Sequence, residues 1–300
     1  MSGDALSQDP AVLAKRIDTS KAHPARVYDV FLGGKDNYPN DRAAAAAALS
    51  ANPRGYLDVR HNRDFMRRAV TRMAADHGIR QFLDIGTGLP TAENVHQIAQ
   101  RVIPDSRVVY VDHDPVVLAH ARALLTSGPE GRTDYVDADL REPAQILEQA
   151  AKTLDFDEPI ALCLVALLHF VEDEQAYPVV RGLVEALPSG SRLVLTHLTD
   201  EIHPVPTRAV QRTYTERGFT FVFRSKDEVE RFFTETPGIT LDEPGVVPVH
   251  QWHPDPAPAP PAIEPEDFEP LDDIEKIRYR DINDVTDDDI NVYGATGLKG

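Results

Sequence analysis

The sequence predicts an α/β protein whose mostly parallel sheet is covered by helices on both faces. Short apolar runs recur at Gln81–Ile85, Arg107–Val111, Thr133–Val136, Pro159–Val165 and Ser191–His197. Helical stripes separate them: Val95, Ile98, Ala99 and Val102; then Val117, Leu118, Ala121 and Leu125; then Tyr177, Val180, Val184 and Leu187. The runs are continuously apolar instead of alternating, the pattern of strands buried on both sides and joined by helical crossovers.

Ahead of this block, residues 1–24 are polar without a sustained period and read as a flexible arm. Residues 25–78 read as a helical segment placed to act as a lid. Val27, Val30 and Phe31 form a short helical face that Gly33 and Gly34 end. An alanine-rich helix over Arg42–Ala51 follows, with Asn40 or Asp41 as its N-cap. A longer one over Arg60–Asp76 carries Phe65, Ala69, Val70 and Met73 on one side. The main domain spans 79–253 and 289–300. Within it Phe219–Phe223 reads as a strand, and Ser225 with Glu228 forms a capping box that opens a helix to Phe233. Val246–Trp252 and Asp289–Leu298 read as the last two strands. Between them, residues 254–288 are rich in Pro, Asp and Glu and read as an extended, poorly ordered insert.

Composition sets limits on function. The chain has 300 residues, 42% hydrophobic and 27% charged, ordinary for a soluble globular protein. Its longest apolar run, Ile160–Leu168, is about half of the roughly 20 residues a spanning helix needs. The N-terminus has neither a basic stretch nor an apolar core, so no signal peptide is expected and the chain reads as cytoplasmic. Cys163 is the single cysteine, which excludes an intrachain disulfide and a multi-cysteine zinc site; no metal is expected. Net charge is −18, half of it in residues 255–300, which carry 13 acids and 4 bases. Phosphate backbones repel that balance, so nucleic acid is disfavoured as a partner.

The chemistry begins at Phe82-Leu-Asp84-Ile-Gly86-Thr-Gly88-Leu-Pro-Thr91. A strand entering a glycine turn and then a helix lets a ligand approach bare backbone. A G-x-G pair alone also suits a plain tight turn. The next strand ends at Asp112, where a carboxylate can accept both hydroxyls of a ribose. The third ends in Asp139-Leu140, an acid and an apolar residue suited to the amino group and ring face of adenine. A nicotinamide or flavin fingerprint needs a small residue where Thr91 stands. Asp84 would repel a pyrophosphate there and would welcome an ammonium. A nucleoside carrying an amino acid, such as S-adenosylmethionine, fits these residues better.

Asp84-x-Gly86-x-Gly88, Asp112 and Asp139-Leu140 resemble the first three motifs of class I S-adenosylmethionine-dependent methyltransferases. Arg26-Val-Tyr-Asp, Leu32-Gly-Gly-Lys-Asp-Asn-Tyr38, Gln81–Thr91 and Val109–Pro115 are similar, more narrowly, to an actinobacterial methyltransferase family formerly filed as a domain of unknown function. The likeness covers roughly residues 20–253 and resumes at Asn291–Lys299. It implies a Rossmann-like seven-stranded sheet in the order 3-2-1-4-5-7-6, with the last strand antiparallel. The strands Val246–Trp252 and Asp289–Leu298 would be its sixth and seventh. It also implies that Gly86 and Gly88 face the ligand's amino-acid portion and that Asp84 reaches its ammonium. Asp112 would take the ribose, and Asp139 with Leu140 the adenine. The long acidic insert before the final strand departs from the family pattern.

Methyl transfer is an in-line displacement that rests on positioning, with a base needed only where the acceptor must lose a proton. His169, at the end of the fourth strand, is the candidate base, and its segment resembles the histidine stretch of small-molecule O-methyltransferases. A purely structural histidine is the other reading. His197 is a second pocket candidate, and His113 is expected to face solvent. Tyr28, Tyr38 and either Arg26 or Arg63 are candidates for closing the pocket or binding substrate, against a reading in which they only pack and cap helices. Cys163 reads as a buried small hydrophobe, Trp252 as core or rim, and Asp287–Asp289 as a solvated flank. The preferred function is methylation of a small molecule or peptide, with oxygen favoured as acceptor atom. A non-catalytic S-adenosylmethionine-binding regulator and a nicotinamide oxidoreductase are the rivals.

Overall fold

Five parallel strands carry the framework: β1 (Gln81–Ile85), β2 (Arg107–Asp112), β3 (Arg132–Asp137), β4 (Ile160–Leu164) and β5 (Arg192–Leu198). They belong to a computed structural model that describes residues 19–90, 93–124 and 127–300. Residues 1–18 of the expected arm, Thr91 of the glycine-turn argument and Leu125 of the second stripe lie outside the described residues. Each strand falls on an apolar run read from the sequence, to within two residues. Alternate side chains feed two cores. Phe82, Val108, Tyr110, Cys163 and Val194 pack on one face, and Leu83, Val109, Leu162, Leu164 and Leu195 on the other.

The first face is covered by α1 (Pro24–Phe31), α2 (Pro39–Ala51), α3 (Gly55–Ala75) and α4 (Val95–Val102). The expected apolar faces of α1 and α3 are buried, Phe65 and Val70 completely. Val102 of the expected α4 stripe is instead exposed. The predicted cap of α2 is corrected: Tyr38 occupies the N-cap, and Asp41 sits in the first turn, accepting the Tyr38 backbone N–H at 2.8 Å. α5 (Pro115–Leu124) follows β2. The opposite face carries α6 (Pro143–Ala150), α7 (Asp173–Glu185) and, after α8 (Pro204–Thr215), α9 (Lys226–Thr234). Ser225 caps α9 as read, exchanging hydrogen bonds with Glu228. Helices α6 and α8 were not read from the sequence; both start with a proline in the first turn.

The sheet closes with β6 (Ile239–Leu241), β7 (Val247–Pro248) and β8 (Val292–Lys299) in the order β3-β2-β1-β4-β5-β8-β6, with β7 also pairing β8. β8 runs antiparallel to β5, as the resemblance implies. The expected sixth strand at Val246–Trp252 is corrected. Only Val247 and Pro248 pair with β8, while Ile239–Leu241 pairs with its far end. Together they make one interrupted edge. The chain turns after Pro248, where Gln251 N–H bonds Pro248 O at 2.8 Å, and Trp252 enters the core against Phe65 with ring centroids 4.9 Å apart. A Cβ at Gly294 of β8 would come within 2.8 Å of Phe65 and of Val249, so this bare backbone admits both side chains. Among the described residues Phe219–Phe223, expected as a strand, pairs with no strand and instead lines the site.

The acidic segment 254–288 is also corrected. It carries α10 (Pro265–Phe268) and α11 (Asp273–Ile277), and Ile277 and Ile282 are buried. Their carbonyls are held by α3: Arg60 Nη1 donates to Ile277 O at 3.1 Å, and His61 Nε2 pairs with Ile282 O at 2.8 Å. Among the described residues, no helix is long and apolar enough to cross a membrane.

Candidate active site

The ends of the parallel strands open into one cavity of about 440 Å³. Its floor is the turn after β1. Gly86 and Gly88 have φ of +75° and +65°, the left-handed region that favours glycine. Gly86 N–H bonds Val111 O at 2.8 Å, and a Cβ there would strain the backbone and lie 2.6 Å from Leu167 Cδ1, so a side chain would have to displace Leu167. Gly88 has open space in front of it.

Three carboxylates edge this floor. Asp112 Oδ2 accepts Gly88 N–H at 3.0 Å, and its Oδ1 accepts Asp114 N–H at 2.9 Å. Each oxygen keeps a lone pair for a further donor, which suits a diol. Asp84 is buried, and desolvation pushes its carboxyl up to about 7, opposed by the charge of Arg63 and reinforced by that of Asp112. A cation beside it would relieve that burial cost. Asp139 is held below its ordinary range, chiefly by hydrogen bonds from Arg141, whose Nε lies 2.9 Å away. Leu140 is buried beside it and lines the cavity.

Helices α1 and α3 form the roof. Tyr28 hydroxyl donates to Val59 O at 3.2 Å and accepts from Asn62 Nδ2 at 2.8 Å. Arg63 reaches Glu93 O at 3.1 Å and Asn94 Oδ1 at 3.3 Å, so it ties α3 to the entry of α4. His23, just before α1, bridges Asp114 at 2.9 Å and meets the Phe219 ring edge-on at 6.1 Å. Tyr38 does not line the cavity. Its ring lies 5.3 Å from the Arg26 guanidinium, and Arg26 is buried against Asp41 at 3.0 Å.

The far wall starts where β4 ends. Ala166 has φ +53°, a strained conformation for a residue with a side chain, and its N–H is held by Thr196 Oγ1 at 2.8 Å. His169 follows, lining the cavity, with Nδ1 buried and unpartnered among the described residues. Burial pushes its imidazole well below the ordinary range, helped by His197 and Arg224. With a guanidinium nearby and, among the described residues, no carboxylate acting on it, His169 is poorly suited to take a proton. His197 does not line the cavity; it is fully buried behind His169. Its Nδ1 lies 2.7 Å from Leu198 O and its Nε2 lies 2.6 Å from Arg224 Nη1, and burial with Arg224 pushes it down to about 3. His113 lies on the cavity rim with its side chain largely exposed.

Sequence reasoning missed two parts of the site. Buried Arg224 donates to Leu168 O at 2.8 Å, to Val171 O at 2.9 Å and to Asp173, so it fixes the turn that presents His169. Phe170, Tyr214, Phe219, Phe221 and Phe223 make an aromatic wall, with Tyr214 and Phe221 centroids 4.9 Å apart. The alternation Phe219-x-Phe221-x-Phe223 was the available signal; the rings line a cavity, not a sheet face.

The doubly covered sheet, the glycine turn and acids at the ends of three successive strands define a nucleoside-binding α/β protein of methyltransferase type. A family model described as S-adenosyl methyltransferase matches residues 10–299, and the chain belongs to that family. It is a methyltransferase whose cofactor is S-adenosylmethionine. Among solved structures it is similar to a DUF574 family protein from Streptomyces avermitilis MA-4680. That match has 45% identity and a TM-score of 0.83, covering 94% of this chain and 99% of that one. It is also similar to a candidate methyltransferase from Thermobifida fusca YX, at 37% identity and TM-score 0.78, covering 97% and 98%. No protein of curated function matches the chain.

Proposed function

We propose that this cytoplasmic enzyme transfers the methyl group of S-adenosylmethionine to a small molecule or peptide held against the aromatic wall. In this reading Asp84 meets the ammonium, Asp112 the ribose hydroxyls, and Asp139 with Leu140 the adenine, over bare backbone at Gly86 and Gly88. The observation that carries it is the continuity of one cavity from that turn to Phe170, Tyr214 and Phe221. A sulfonium methyl pointing from the cofactor end would face an apolar chamber, where water is excluded and the reactants are aligned.

Oxygen remains the favoured acceptor atom, in a group acidic enough to ionise without a strong base. His169 would position the acceptor and would not carry away a proton, because its surroundings disfavour the imidazolium. Arg63 and Tyr28 would hold the roof closed over both ligands.

Turnover with methyl-labelled S-adenosylmethionine in a native extract tests this reading. Label is expected in the small-molecule or peptide fraction, and label confined to nucleic acid would overturn it. His169→Gln is expected to keep turnover within about tenfold of the parent while raising KM, since a lost base typically costs a hundredfold or more. A collapse of kcat that hydroxide restores at high pH would return the base role to His169.

A further inference from the structure

Charge divides the cavity into two halves. Asp84, Asp112 and Asp139 stand at the ends of β1, β2 and β3, the half read above as the cofactor's. The other half lies beyond β4, where the aromatic wall begins at Phe170. Phe221 is its hub: the His169, Phe170, Tyr214 and Phe223 centroids lie 5.1, 5.6, 4.9 and 5.4 Å from it.

The cations that line the cavity are engaged on the cofactor side. Arg63 reaches Glu93 O and acts on Asp84, Arg141 clasps Asp139, and His23 stands 2.9 Å from Asp114. Along the wall half, among the described residues, no lysine or arginine lines the cavity. Arg224 lies behind the wall with every donor in use. Nε and Nη2 donate to Asp173, Nη2 also to Val171 O, and Nη1 to Leu168 O. His197 Nδ1 faces Leu198 O at 2.7 Å and carries its proton there, so Nε2 accepts from Arg224 Nη1 at 2.6 Å. A guanidinium has five N–H groups, and none is left for a ligand. Arg217, which acts on Tyr214, is exposed, does not line the cavity and donates to Thr213 O.

The charged group that this half does offer is an acid. Asp58 lines the cavity from α3 and accepts Asn291 N–H at 2.6 Å just before β8, and among the described residues no cation acts on it. Burial lifts its carboxyl to about 7, so at neutral pH it is partly ionised and repels an incoming anion. The wall also withholds a strand edge from a peptide. Phe221 O accepts Gln211 Nε2 at 2.7 Å, and Val222 N–H donates to His169 O at 2.8 Å.

We propose that this half of the cavity takes a flat, ring-bearing small molecule that carries no carboxylate, sulfate or phosphate group, the rings of the wall selecting its shape and the missing cation excluding acids. An acid entering here would lose its hydration with no counter-ion in exchange. The proposal rests on the methyltransferase reading above and narrows its acceptor by shape and by charge.

Calorimetry near neutral pH on the protein saturated with S-adenosylhomocysteine tests it, with 2-naphthamide against 2-naphthoate and benzamide against benzoate. Each pair shares one shape and differs by a charge. The naphthamide is expected to bind at least about tenfold more tightly than the naphthoate, and the benzene pair more weakly in the same order. Thr220→Lys, which sets an ammonium in the lining, should bring naphthoate level with naphthamide or past it. Asp58→Asn should strengthen naphthoate and leave naphthamide unchanged, and Phe223→Ala should weaken both without changing their ratio. Naphthoate binding as tightly as naphthamide in the parent protein, or no probe binding while S-adenosylhomocysteine is bound, would overturn the proposal. A ratio that Thr220→Lys leaves unchanged would put the probes elsewhere and overturn it too. Failure of S-adenosylhomocysteine itself to bind strikes the cofactor reading instead, and the same ratios measured on the protein alone then decide the proposal.

Discussion

Asp84 concentrates the electrostatics of the site in one carboxyl group. Burial is the main reason its pKa stands at about 7. An unfolded aspartate titrates near 3.9, so folding raises this pKa and the stabilising contribution is present below about pH 4. That contribution is lost as pH climbs through about 7, where the buried carboxylate must ionise. A ligand ammonium reverses the balance by favouring the charged form. Affinity for S-adenosylhomocysteine is therefore expected to strengthen from about pH 5.5 to 7.5 and then level, with proton release in calorimetry on the acid side. 5′-Methylthioadenosine, which lacks the amino-acid portion, should show no such slope, and Asp84→Asn should abolish it. A flat profile in the parent would remove Asp84 from the ammonium site. That Asp84, Gly86, Gly88 and Asp112 meet in one cavity was legible because acids and glycines recur at the ends of successive apolar runs, a context that the glycine pair alone lacks. Arg224 was not, since a lone arginine carries no signal until the Leu168 and Val171 carbonyls it holds, far away in sequence, are placed beside it.

At the level of elements, β1 to β5 were readable because strands buried on both faces leave unbroken apolar runs. The edge was not. Ile239–Leu241 is short and only half-buried, and β7 gives way to a turn right after Val249 N–H bonds Val292 O at 2.9 Å. The aromatic alternation at 219–223 imitates a strand because its rings face a cavity on one side, the same period with a different neighbour. β8 is constrained more tightly than its sequence suggests. Gly294→Ala is expected to cost about 1–3 kcal/mol in urea unfolding, since its methyl would press on Phe65 and Val249 inside a filled core. The same change at Gly182, where a Cβ meets nothing, should be close to neutral or stabilising. Equal effects at both positions would show that the β8 contact yields freely.

For the molecule as a whole, the acidic segment behaves as part of the scaffold that holds the roof. Composition alone made it look unpacked; what it buries are Ala257, Ile277 and Ile282, too scattered to register as a periodic face. Ile277 is fully buried in the core cluster that includes α1 and α2, and the neighbouring Arg278 side chain lies against Gly33, where a Cβ would meet it at 2.8 Å. Ile277→Ala is expected to destabilise the fold by about 2–4 kcal/mol and to loosen α1 as well. Its signature is a drop in S-adenosylhomocysteine affinity under conditions where circular dichroism still reports a folded protein. Unchanged affinity would separate this segment from the roof.

The interior position of β8 has a consequence for biosynthesis. The strands it bridges, β5 on one flank and β6 and β7 on the other, leave the ribosome well before residues 292–299 do. Until then β5 presents an unsatisfied backbone edge, and Phe233 lacks its partner at Gly297. A nascent chain in that interval is open to pairing with another like itself. Slow translation through the acidic segment would prolong the exposure, and chaperone capture should peak there.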